Sequence, residues 1–123
     1  MNMDKQRRKE LQELAKQIKT EMGIIQITNK ITGKIFIDTS RNLKNRWLTI
    51  KMQLDLGRFY NLALQKDWTE MGEDAFSYEI LEKKEVDEET GNQNEALKKM
   101  LKPWLNKKQP YEEKGYNRRK EEV

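Results

Sequence analysis

The chain has 123 residues, 25 of them Lys or Arg and 21 Asp or Glu, with no His, no Cys and 35% apolar residues. That length suits one domain, and the lack of His and Cys excludes Ser–His and Cys–His nucleophile pairs, imidazole or thiolate zinc sites and redox dithiols. Any metal would have to be a hard cation on carboxylate and carbonyl oxygens.

Asp4 is placed to cap a helix running to about Met22, because Leu11, Leu14, Ala15, Ile18 and Met22 recur at helical spacing. Gly23 breaks that pattern. The β-branched run Ile24–Thr28 predicts a strand, Asn29–Lys34 holds turn residues, and Ile35–Ile37 resumes strand character, so the three make a hairpin. Thr39 or Ser40 is the expected N-cap of a helix whose stripe is Leu43, Trp47, Ile50 and Leu54, ended by Gly57. A shorter helix comes next with Ala63, Leu64, Trp68 and Met71, closed by Gly72. Phe76–Leu81 alternates as a third strand, and the acidic stretch Lys83–Gln93 is expected to be a solvated loop. The last helix aligns Leu97, Met100, Leu101, Trp104 and Leu105, with Pro103 inside the pattern, where a kink or restart is expected. From Asn117 on, the polar end is expected to fray. The order α-β-β-α-α-β-α gives an α+β fold, a small and mainly antiparallel three-stranded sheet flanked by helices.

Charge is unevenly spread. Residues 1–38 carry a net +3, residues 39–58 +4, residues 59–95 −8 and residues 96–123 +5. Basic flanks around an acidic middle suit a polyanion on one face, and they equally describe solvated helix faces. Absence of Cys suits a reducing compartment. Met1 to Lys5 lead into charge rather than an apolar run, and no apolar stretch approaches the roughly 18 residues of a membrane span. A cytoplasmic protein without a membrane partner is expected.

The hairpin carries a resemblance. Gly23-Ile24-Ile25, then ten residues on Phe36-Ile37-Asp38, resembles a degraded form of the paired signature that names the GIY-YIG nuclease family. The segment Thr39–Trp47, with its Arg46-Trp47 pair, is similar to the stretch just past the second motif in that family. Further likenesses are Leu64–Trp68, Met71-Gly72, Phe76–Glu82 and the closing Gly115-Tyr116-Asn117. The resemblance spans about residues 23–117, so residues 1–22 are expected to be a helical extension and 118–123 a charged tail.

The resemblance implies two Tyr residues on the hairpin and a helical Arg around a scissile phosphate, with a Glu on the last long helix holding one divalent cation, commonly magnesium. Position by position, the Tyr places hold Ile25 and Phe36, the Gly ending the second motif is Asp38, and the His or Tyr one turn after the Arg is Ile50. The metal-binding Glu, counted back from Trp104, falls on Leu101, while Arg46 and Asn117 are retained. Neither a proton acceptor nor a cation carboxylate is left, so no metal is expected, and the chain reads as a family fold that has lost the reaction.

Several residues carry two readings. Arg46 suits a phosphate clamp or an ordinary ion pair. Arg41, Lys44, Arg46, Lys51 and Arg58, with Lys98, Lys99 and Lys102, suit a DNA- or RNA-binding face or plain solvation. Trp47, Trp68 and Trp104 fit core packing better than base stacking. Asp38 with Glu79 could form a relocated metal site, against the simpler reading of a surface residue or cap, and Glu95 points away from the Leu101 position. The leading expectation is a catalytically degenerate GIY-YIG-like protein that binds nucleic acid. The alternatives are an active magnesium-dependent endonuclease and a protein-interaction module.

Overall fold

A computed structural model describes Arg7 and residues 19–119 of the chain. Its centre is a three-stranded antiparallel sheet in the order β2-β1-β3, formed by β1 (Glu21–Asn29), β2 (Ile35–Ser40) and β3 (Phe76–Glu85). Helices α1 (Arg46–Asp55), α2 (Leu62–Met71) and α3 (Gln93–Lys108) complete the α+β fold. β1 is the middle strand, which is why its residues are apolar on both faces and Met22, Ile24, Ile25 and Ile27 are all fully buried.

Alternation along the strands divides two packing layers. Ile25 and Ile27 share one face with Phe36, Phe76 and Tyr78, and there they meet Ile50 and Leu54 of α1 and Leu64 and Trp68 of α2. Ile24, Gln26 and Ile37 take the other face. α3 packs across β1 and β2, and its Trp104 indole donates to Glu82, the register partner of Ile24, at 2.8 Å. The two stripes read from the sequence, Ile50/Leu54 and Leu64/Trp68, are the buried ones.

Four boundaries differ from the sequence expectation. Most of the expected N-terminal helix lies outside the described residues, and its expected end is overturned: Glu21 and Met22 belong to β1 and pair with Glu85 and Lys84. Thr39 and Ser40 extend β2 rather than cap α1, since pairing with Ile24 and Gly23 satisfies their backbone; Asn45, in a left-handed conformation, stands at the N-cap instead. β3 runs on to Glu85, past the Lys83 at which the sequence predicts a loop, and a short 3-10 turn at Glu88–Thr90 is capped by Asp87. α3 continues unbroken through Pro103, whose side chain is exposed.

The C-terminal segment is held against the free edge of β2 as far as Asn117, where fraying is expected to begin, while residues 120–123 of that expectation lie outside the described residues. Gly115 bridges Ile35 in parallel, and the Tyr116 amide donates to the Ile35 carbonyl at 2.9 Å. A Cβ at Gly115 would fall on the carbonyls of Pro110 and Ile35, so only glycine admits this approach. Arg119 pairs with Glu112 at 2.9 Å. Among the described residues no helix is long and apolar enough to cross a membrane.

Candidate functional site

The hairpin is built so that its outer half presents a site. Buried Asn29 accepts from the amides of Ile31 and Thr32 and donates to the Tyr116 hydroxyl at 3.0 Å, which fixes the turn and ties it to the C-terminal segment. Past the turn, β2 brings Phe36 and then Asp38 onto the face shared with Ile25. α1 starts beside the end of β2, with Arg46 in its first turn.

At the two positions where the resemblance implies phenols, Ile25 is 0% and Phe36 4% exposed, and both lie in one apolar cluster with Ile50. Phe36 meets the rings of Phe59 and Tyr60 edge-on at 5.8 and 6.0 Å. Leu101 is half-buried on α3, one turn past the buried Leu97, and takes no part in that cluster.

Arg46 is half-buried, and its Nε is enclosed without a hydrogen-bond partner among the described residues. The same is true of the Tyr78 hydroxyl oxygen. Burial pushes the Tyr78 phenol up, and the Arg46 charge partly offsets this. Burial likewise raises the Asp38 carboxyl, against the Thr39 amide and the Arg46 charge, which both lower it. Asp38 is therefore a half-buried carboxylate in the field of Arg46, with Oδ1 accepting the Thr39 amide at 2.8 Å and Oδ2 accepting the Tyr60 hydroxyl.

Two of these participants had no signal in the sequence. Tyr78 stands in the alternating run Phe76–Leu81, but its stacking on Trp47 (5.0 Å between ring centroids, 14° between planes) depends on the pairing of β3 with Ile27. Tyr60 lies in the α1–α2 connection, where no periodicity marks it.

The structure separates the basic residues into groups. Arg41, Lys44 and Arg46 line one shallow groove with Thr39, Thr49 and Asn94, and the Arg41 guanidinium donates to Gln93 at the start of α3 at 3.1 Å. Lys51 lies over the Trp47 ring at 5.6 Å. Arg58 stands past the far end of α1, about 15 Å along the axis from the groove. Lys98, Lys99 and Lys102 lie on α3.

Asn117 spends its side-chain amide on the chain itself. Its Oδ1 accepts the Ile37 amide at 2.9 Å and its Nδ2 donates to the Ile37 carbonyl at 2.7 Å, which pairs it with the outer edge of β2 as a strand residue would. The tryptophans pack: Trp68 is buried and its indole donates to Asp55, while Trp47 meets Trp68 edge-on.

A relocated metal site on Asp38 and Glu79 is ruled out by the register. Asp38 pairs with Ile25 and Glu79 with Gln26, so the two carboxylates leave opposite faces of the sheet. Glu79 instead accepts from Gln26 at 3.2 Å, and Glu95 is exposed near the start of α3. Among the described residues no three Asp, Glu, His or Cys side chains come together to hold a metal ion. The donor set beside Arg46, one carboxylate with both oxygens engaged, does not fit the divalent cation typical of GIY-YIG nucleases.

Together, the β2-β1-β3 sheet, the hairpin and the Arg-bearing helix define a GIY-YIG-like nuclease fold. Solved structures that share it include the catalytic domain of the homing endonuclease I-TevI. One aligns at a TM-score of 0.62 with 21% identity, covering 78% of this chain and 96% of that one. A point mutant of the same domain, described as that of an intron endonuclease, aligns at 0.59 with 22% identity, covering 79% and 92%. No family model matches the sequence, and no curated protein does.

Proposed function

We propose that this chain binds the sugar–phosphate backbone of nucleic acid through the Arg41–Lys44–Arg46 groove and does not cleave it. The observation that carries this reading is that Ile25 and Phe36, on the sheet face that meets α1, are buried apolar side chains where the resemblance implies proton-handling phenols. A guanidinium with an unsatisfied Nε beside two further cations still attracts a phosphate. Without a carboxylate set for a cation, the charge that builds on a phosphoryl oxygen during hydrolysis has only Arg46 to offset it.

The test is duplex binding as a function of salt, with plasmid nicking measured in magnesium and in manganese. Binding weakens steeply with salt, and Arg46→Ala lowers the log–log salt slope by about one. Nicking that Arg46→Ala abolishes would overturn the loss of catalysis, and salt-independent or absent binding would overturn the nucleic-acid reading. One observation favours a second reading, a protein-interaction module: Leu48, Met52 and Leu56 form an exposed apolar line on the outer side of α1. Absence of duplex binding would turn attention to that line.

A further inference from the structure

Helix α1 turns one apolar stripe to the sheet and leaves a second one bare. Ile50 and Leu54 reach the core, while Leu48, Met52 and Leu56 are 55%, 56% and 67% exposed. Leu56 stands at the C-cap and keeps helical dihedrals, so it continues the helix surface. At about 100° per residue these side chains fall within an arc of about 80°, on the side of α1 opposite Ile50 and Leu54. Scattered apolar residues on a surface are ordinary. Three at i, i+4 and i+8 form a ridge of the kind that packs into the groove of another helix.

The ridge is symmetric about Met52, with a leucine one turn before it and another one turn after. Its polar flanks are ordered too: Lys51 and Asp55 lie on one side, Thr49 and Gln53 on the other. Laid antiparallel on a copy of itself, about a two-fold axis through Met52, the ridge sets Leu48 against Leu56 of the second copy and Met52 against its own counterpart. Like flanks then meet, so Lys51 comes within about 3 Å along the axis of Asp55 of the second copy, and the pair occurs twice. A parallel arrangement would face Lys51 and Asp55 with Thr49 and Gln53 and lose both ion pairs. Neither Lys51 nor Asp55 is in an ion pair among the described residues. Lys51 lies over the Trp47 ring, and Asp55 gives only Oδ1 to the Trp68 indole.

We propose that the outer face of α1 is a self-association surface, on which two copies of this chain pair antiparallel through Leu48, Met52 and Leu56, with Lys51–Asp55 ion pairs closing one flank. The pairing is a separate property from phosphate binding and holds whether or not the groove binds nucleic acid. A contact of two to three helical turns is smaller than a standard protein interface, so the dimer is weak and reversible, half formed at roughly 100 µM.

The experiment is sedimentation velocity on the full chain without nucleic acid, joined to disulfide trapping, which is direct because the chain has no Cys of its own. The unsubstituted chain should be a monomer at about 5 µM and mostly a dimer at about 500 µM. Met52→Lys, which sets two like charges on the axis, should weaken association at least about tenfold and leave the thermal melt unchanged. Under mild oxidation Met52→Cys should form a covalent dimer, and so should Leu48→Cys mixed with Leu56→Cys, because those positions face each other across the axis. Leu48→Cys alone, and Glu70→Cys at an exposed position on α2, should crosslink only slowly. A chain that stays monomeric up to about 500 µM overturns the pairing and leaves the ridge to residues 1–18 or to a different protein. Association that Met52→Lys leaves intact overturns it by placing the contact elsewhere. Preferential crosslinking of Leu48→Cys with itself would make the helices parallel and refute the ion pairs.

Discussion

Replacing Asn117 with Ala tests whether this residue serves the site or the sheet. Its amide makes two hydrogen bonds to Ile37, one accepted at 2.9 Å and one donated at 2.7 Å. Ile37 is buried and Asn117 half-buried, so truncation leaves the Ile37 amide and carbonyl without their protein partners. Each net hydrogen bond is worth about 1 kcal/mol, and a donor left buried without a partner costs about 1–3 kcal/mol; the sum expected for Asn117→Ala is about 2–3 kcal/mol. With a urea slope of about 1–3 kcal/mol per molar, the unfolding midpoint should fall by roughly 0.7–3 M. Asn117→Asp should cost at least as much at neutral pH, because it sets a carboxylate oxygen against the Ile37 carbonyl, and it should recover partly in acid as that oxygen gains a proton. The assay is urea unfolding monitored by tryptophan fluorescence, with duplex affinity measured on the folded fraction. An unchanged midpoint combined with lost binding would refute the structural role and make Asn117 a binding residue.

The same edge of the sheet supports two more predictions. Gly115→Ala should destabilise by about 2 kcal/mol or more, since the added methyl lands on two backbone carbonyls that cannot both move; an unchanged melting temperature would contradict this. The Tyr116 phenol is pushed up to about 12, by burial first and then by donation to the Asp67 carboxylate at 2.6 Å. Its proton is held more firmly in the fold than in the unfolded chain, whose phenols titrate near about 10. The stability this contributes is therefore complete below about pH 10 and lost between about pH 10 and 12. Thermal melts should show Tyr116→Phe less stable than the unsubstituted chain at about pH 8, below that window, with the gap narrowing across it; a constant gap would count against it.

Much of the fold was legible because local spacing and burial agree. Ile50 with Leu54 and Leu64 with Trp68 stand at helical intervals, and those are the side chains that reach the sheet. Thr39 and Ser40 misled because both are good cap residues, and only the pairing of β2 with β1 decides that their backbones belong to a strand. The candidate site was legible in part. Arg41, Lys44 and Arg46 are near in sequence and share a groove, whereas Arg58, grouped with them on charge, lies one helix length away. Tyr60, Tyr78 and the true partner of Asn117 were hidden, because each contact joins residues 22 to 80 positions apart.

By itself the sequence determined the chemistry available. A chain without His or Cys, with Ile25, Phe36 and Leu101 at the places where the resemblance implies catalytic groups, has a narrow repertoire wherever its atoms come to lie. The tertiary structure decided how the remaining polar groups are used. The sheet register sends Asp38 and Glu79 to opposite faces, which removes a metal site that composition allowed. It also holds Asp38 to the Tyr60 hydroxyl and pairs the Asn117 side chain with the outer edge of β2. The reason is that side-chain direction in a strand alternates with every residue, so a one-residue difference in pairing, invisible in composition, fixes which groups can meet.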